Sequence, residues 1–243
     1  MTLPVPLRIK PGFAHQLLWI VVLFAFSRPH PLAAQTQAQD ICTIEPPVST
    51  YRLITGDQKD SRHLQLERDF HAKGPLEINI CAGEVRILPS QDGHLHVNIA
   101  LSKAPASDMT VFIRQIESDE HKTIVSIAYP KDLSPSITVR IPPTAPLQSV
   151  IMLGTGDLNL RGDAIRGDRQ IQVGTGTATL YLRGDSEYSE LQASIGMGNL
   201  HDRRQGGTST HLGMATKRTL PGNGDGKITL NVGVGSIELR PEE

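Results

Sequence analysis

Hydrophobic and polar positions alternate with a period of two along most of the chain, which is the signature of half-buried β-strands. The clearest stretches are Leu76 to Leu88, His94 to Leu101, Val111 to Ile116, Thr123 to Ala128 and Ile137 to Ile141. Gly, Pro, Asp or Ser bounds each one, and Pro130, Pro135, Pro142, Pro143 and Pro146 rule out long helices at the joins. Past residue 34 no segment carries a sustained apolar stripe of period 3.6. Only Ser61 to His71 offers a short helix. The pattern predicts an all-β fold.

A second regularity is superimposed on the first. The order aliphatic, x, small, polar, hydrophobic, x, aliphatic recurs around a Gly-x-Gly bend, at Val150 to Leu160, Ile171 to Leu180, Leu191 to Leu200 and Leu230 to Leu239. Altered copies stand at Thr210 to Thr219 and Ile78 to Ile87. Just before the first glycine slot come Ile80, Leu153, Val173, Ile195, Leu212 and Val232, all aliphatic. Just after the second come Glu84, Asp157, Thr177, Asn199, Thr216 and Ser236, all polar. Such columns are expected of a β-solenoid, in which equivalent residues stack rung upon rung about 4.8 Å apart, apolar inside and polar outside. The bends need a residue free to take positive φ, the role assigned to Gly83, Gly154, Gly156, Gly174, Gly176, Gly196, Gly198, Gly233 and Gly235.

The N-terminus follows a different logic. Arg8 and Lys10 precede an apolar run from Leu17 to Phe26, and small residues follow up to Ala34. This reads as a cleaved secretory signal peptide over residues 1–34, since the run is too short to span a bilayer. Residues 35–63 form an N-terminal extension and residues 64–241 the strand-repeat domain, with the clearest repeats in 147–240. The expected location is the periplasm, the cell surface or the medium, without stable membrane insertion after cleavage. Of 24 basic and 25 acidic residues, three basic ones (Arg8, Lys10, Arg28) and no acid precede residue 35, leaving a balance of roughly −4. That argues against nucleic acid as a partner. Cys42 and Cys81 are the chain's two cysteines, and in an oxidising compartment they are expected to pair and tether the extension.

The run Ile137-Thr-Val-Arg-Ile-Pro-Pro, followed by Leu147-Gln-Ser-Val-Ile-Met-Leu-Gly-Thr-Gly-Asp-Leu-Asn-Leu-Arg-Gly, resembles the bacterial β-strand-repeat family of putative adhesins. That family is related to the head domain of putative autotransporter adhesins. The resemblance covers roughly Leu76 to Leu239. It implies a β-solenoid on an exported protein and supplies no catalytic motif to carry over.

Candidate chemistry is sparse. Arg-Gly-Asp occurs at Arg161 to Asp163, Arg166 to Asp168 and Arg183 to Asp185. It could be an integrin-type adhesion loop, but glycine and flanking charges are also what a solvated turn between rungs requires. His94 and His96 project from one strand face without a third ligand in the pattern, and Asn223 to Lys227 reads as a hairpin turn rather than a calcium loop. No catalytic, metal or cofactor site is therefore predicted, and the expected role is non-catalytic. The chain reads as an adhesin-like binding or scaffolding module of the cell envelope, with an envelope protein or a polysaccharide as partner. The competing readings are a carbohydrate-active β-helix enzyme, with Glu84 and Asp157 as its acids, and a structural partner of an envelope signalling system.

Overall fold

The computed structural model describes residues 62–70, 74–103, 113–128, 133, 135–142, 148–164, 166–204 and 209–242. The segment expected to be a signal peptide, residues 35–61 of the extension and Cys42 lie outside them, and the last residue of the extension, His63, already belongs to the first strand. Eleven strands make up the described fold: β1 (His63–Asp69), β2 (Leu76–Pro89), β3 (His94–Leu101), β4 (Ile113–Ser118), β5 (Thr123–Ile127), β6 (Pro135–Ile141), β7 (Gln148–Arg161), β8 (Asp168–Leu182), β9 (Glu190–Asp202), β10 (Ser209–Pro221) and β11 (Lys227–Pro241). The described residues are all-β, as the alternation predicts. Within the stretch expected to offer a short helix, His63–Asp69 forms β1 instead, because Leu64 and Leu66 alternate with polar neighbours and are the residues that become buried.

The long strands are bent rungs. Each has a first arm before the Gly-x-Gly bend and a second arm after it. β2, β7, β8, β11 and β9 lie side by side in that order, all parallel and in register. At β2 the arms part company. Its first arm pairs with β5, which pairs with β4, while its second arm pairs with β6, which leads on to β3 and β1. The alternate residues pointing into the angle form continuous buried files. One runs Ile80, Leu153, Val173, Val232, Ile195 and the next Val85, Leu158, Ala178, Ile237, Leu200. All belong to one hydrophobic cluster. Fully burying an aliphatic side chain of this kind stabilises by about 1.5–3 kcal/mol, so the files are the main cohesive element.

Two expectations about the stack are corrected. Rungs do not follow one another in sequence order, because β11 inserts between β8 and β9. A simple solenoid path is therefore not what the strands trace. β9 instead forms an antiparallel hairpin with β10, and the chain then returns through residues 222–226 to fill the gap. The Asn223 segment is thus a crossover loop rather than a hairpin turn. β10 is also no rung: running antiparallel, it sets Leu212 opposite Asn199 and Thr216 opposite Ile195, so Leu212 is not a member of the aliphatic file.

The glycine requirement proves to be more specific than the sequence implies. Positive φ belongs to the second slot only, at Gly83 (φ 130), Gly156 (129), Gly176 (134), Gly235 (138) and Gly198 (138). Each also lies against its neighbour in the stack. A Cβ on Gly156 would meet the Gly83 carbonyl oxygen at 2.0 Å, one on Gly176 the Gly156 oxygen at 1.9 Å, and one on Gly235 the Gly176 oxygen at 1.9 Å. The first-slot glycines Gly154, Gly174, Gly196 and Gly233 keep negative or extended φ. That is why Cys81 can occupy the same slot in β2. At β10 the second slot holds Ala215, which takes a left-handed φ of 54° that alanine disfavours.

Gly176→Ala should therefore destabilise by at least about 2–3 kcal/mol, combining a glycine-only conformation with a backbone clash. Ala215→Gly should be neutral or stabilising by up to about 1 kcal/mol. Denaturant unfolding of the two variants checks the opposite signs.

Candidate functional site

The outward residues after the bend form a second kind of file. Ser136, Glu84, Asp157, Thr177, Ser236 and Asn199 are successive Cα partners across β6, β2, β7, β8, β11 and β9. Five of the six belong to the polar column expected from the repeats. Ser136 joins because β6 pairs with the second arm of β2, a neighbour that no repeat pattern marks. Thr216 drops out because β10 is antiparallel. Two residues further along lies a parallel polar file of Asn98, Thr138, Arg86, Asn159, Thr179, Glu238 and His201. One face of the second-arm sheet is thus lined by polar side chains that the rungs hold at fixed spacing.

The face is anchored by local bonds. Asp157 accepts a hydrogen bond from the Thr177 backbone N–H at 3.2 Å, which ties adjacent rungs together. The Glu84 carboxylate accepts from Arg86 at 2.6 Å, an exposed pair of small net energy. At the β2–β7 end the crest opens into a groove of about 360 Å³, lined by Ala82, Gly83, Glu84, Pro135, Ser136, Thr155, Gly156 and Asp157. The groove runs along the bends of β2 and β7 beside the start of β6. It offers two carboxylates, two hydroxyls and backbone carbonyls to a ligand rich in donors. Cys81 is buried one residue before the groove lining begins.

Sequence reasoning missed the company that His94 and His96 keep. Pairing of β1 with β3 brings Glu67 and Asp69 to the same face, with Asp69 3.1 Å from His94 Nδ1 and Glu67 3.6 Å from His96 Nδ1. Asp92 lies 2.9 Å from His96 Nε2. Hydrogen bonds from the Ser90 hydroxyl, then from His96 and the His94 backbone, hold the Asp92 carboxyl well below the usual range. The alternation of Glu67 and Asp69 in β1 was the available signal. Among the described residues no group of three or more His, Cys, Asp or Glu is arranged to hold a metal ion.

Charged residues from all three Arg-Gly-Asp segments are engaged internally. Arg183 of one pairs with Asp163 of another at 2.6 Å, and both Arg161 and Arg183 bind Glu242, at 3.1 and 3.3 Å. Asp168 accepts from the Lys227 N–H at 2.8 Å. Asp185 accepts from the Tyr188 hydroxyl at 2.6 Å and from Arg204 at 3.2 Å. These bonds fix the loops that close the open side of the rungs, where Ala164, Leu182 and Tyr188 are buried. The turn reading accounts for all three motifs.

A buried polar knot completes this side. Arg204 makes a forked pair with Asp202 at 3.0 Å through both oxygens, donates to the Tyr188 hydroxyl and stacks 5.9 Å from its ring. Partial burial alone would raise the Asp202 carboxyl, but Arg204 outweighs it and holds it below its ordinary value. Burial raises the Tyr188 hydroxyl. Nearby, Arg169 stands in an otherwise mostly aliphatic file, and desolvation lowers it to about 10, which leaves it charged at neutral pH.

Neither a protein-family model nor a curated protein matches the chain. Among solved structures it is similar to a crystal structure described as a putative cell adhesion protein from Clostridium sporogenes, with 15% identity and a TM-score of 0.49. The match covers 74% of this chain and 100% of that one. No helix among the described residues is long and apolar enough to cross a membrane.

Because the Asp202 carboxyl is depressed in the fold, it contributes stability above its unfolded pKa that is lost as pH falls below about 4. Asp202→Asn should lower stability at pH 7 and flatten the acid limb of a stability–pH curve. A variant whose acid limb keeps the wild-type slope would remove Asp202 from this role.

Proposed function

We propose that this chain is an exported, non-catalytic binding or scaffolding module of the cell envelope, adhesin-like in form, whose working surface is the polar face of the second-arm sheet. One observation carries the reading: the unbroken file Ser136–Glu84–Asp157–Thr177–Ser236–Asn199, held on a backbone that the glycine column makes rigid. Side chains at fixed intervals suit an extended partner that repeats its own polar groups, such as a polysaccharide or an extended segment of an envelope protein. Rigidity lowers the entropic cost of ordering that surface on binding. On this reading residues 1–34 direct export, the parallel rungs act as a β-solenoid interrupted by the β11 insertion, and a Cys42–Cys81 disulfide ties the extension to the β2 end. The likeness to the β-strand-repeat adhesins belongs to the same reading.

A carbohydrate-active enzyme is the alternative, favoured by Glu84 and Asp157 lying side by side in one groove. Binding to envelope polysaccharides and envelope extracts separates the two. A binding module should retain a partner, lose about 10-fold or more in affinity when Asp157, Thr177 and Asn199 are all changed to Ala, and release no reducing ends. Turnover that disappears in Asp157→Asn or Glu84→Gln would establish the enzyme instead.

A further inference from the structure

The exposed large hydrophobic side chains among the described residues are three: Met214 at 79%, Met197 at 55% and Val234 at 36%. They come from three different strands, yet the register makes them neighbours. Val234 is the Cα partner of Met197, and Met197 of Met214. All three occupy the x position of the bend, so they form one apolar ridge along the crest. That position holds Ala82, Thr155 and Thr175 further down the stack, where the crest is small or polar. The ridge therefore grows apolar only toward β10.

β10 is also where the sheet stops. Its other edge is unpaired among the described residues. Its inward residues Thr216, Arg218 and Leu220 continue the files of Ile195, Ala193 and Leu191, yet they remain half-exposed where those three are buried. The interior of the stack is thus left ajar at this end. A free strand edge is a template for another strand, and proteins usually guard it with charge or proline. Here the guards are Lys217, Arg218 and Pro221, all on one side of Met214.

We infer that β10 pairs antiparallel with β10 of a second copy, about a two-fold axis near Met214. The asymmetry of the guards points to self-pairing. In that register Lys217 and Arg218 of one copy lie opposite residues 211 and 210 of the other, so like charges do not meet. Met214 meets Met214, and the ridge becomes a continuous strip of six apolar side chains across the axis. The three ridge residues alone are far too few for the roughly 800 Å² per partner that a stable interface buries, so main-chain pairing along β10 has to supply the rest. Isologous pairing also closes the edge and stops further growth, which an added strand from a different partner would not.

Sedimentation equilibrium over the micromolar to millimolar range tests this together with Met214→Lys and Met214→Cys. The wild type should be a dimer, and Met214→Lys should be a folded monomer with the wild-type circular dichroism spectrum, whose melting temperature no longer depends on protein concentration. Met214→Cys should form an intermolecular disulfide on mild oxidation, while Asp225→Cys, placed in the crossover loop, should not. A wild type that stays monomeric throughout overturns the inference. So does a dimer that survives Met214→Lys and leaves Met214→Cys uncross-linked, since its interface would lie elsewhere. If Met214→Lys fails to fold, the cross-linking pair decides alone. Loss of the dimer leaves partner binding on the polar face untouched, so the two proposals fail separately.

Discussion

The close passage of one backbone over the next at the bends sets the terms for everything else. At every second-slot glycine from Gly83 to Gly198, a carbonyl of the adjacent strand occupies the space a side chain would need. Two demands therefore coincide at one residue: a φ near +130° and no Cβ. Only glycine meets both. Once five glycines are stacked, each rung turns at the same height, and the aliphatic residues on either side are forced into common files. Register across the sheet follows from the bends as much as from the hydrophobic pattern, and a slip by one residue would turn the buried set outward.

The same constraint shapes the surface. Because the rungs bend in register, the residues flanking the bend are displayed in register as well. On the polar side this gives the file from Ser136 to Asn199 and the groove over Gly83 and Gly156. At the far end it gives the ridge of Val234, Met197 and Met214. Charges elsewhere are mostly spent on holding loops. The Arg-Gly-Asp segments and Glu242 brace the open side of the rungs, and Arg204 knots Asp202 to Tyr188.

Much of this was legible in the repeats. Ile80, Leu153, Val173, Ile195 and Val232 do share a file, and Glu84, Asp157, Thr177, Asn199 and Ser236 do share the polar column, because a repeat records local geometry faithfully. Strand order was not legible. A repeat says that rungs are alike, and likeness lets β11 fit beside β8 as well as β9 would have done. The reversal at Thr210 to Thr219 was half visible: the copy lacks its second glycine, and Lys217 follows Thr216 where the other copies carry Val85, Leu158, Ala178, Leu200 and Ile237, which are marks of a strand that only looks like a rung. The acidic neighbours of His94 and His96, and Ser136 beside Glu84, come from pairings between unlike strands, for which the chain carries no periodic signal.

The order of the glycine column is the most direct point of attack. In solution, nuclear Overhauser contacts at the Gly235 α-protons should reach both Gly176 and Gly198, with none between Gly176 and Gly198 themselves. A direct contact between Gly176 and Gly198 would mean that the rungs follow one another in chain order and that β11 does not lie between β8 and β9.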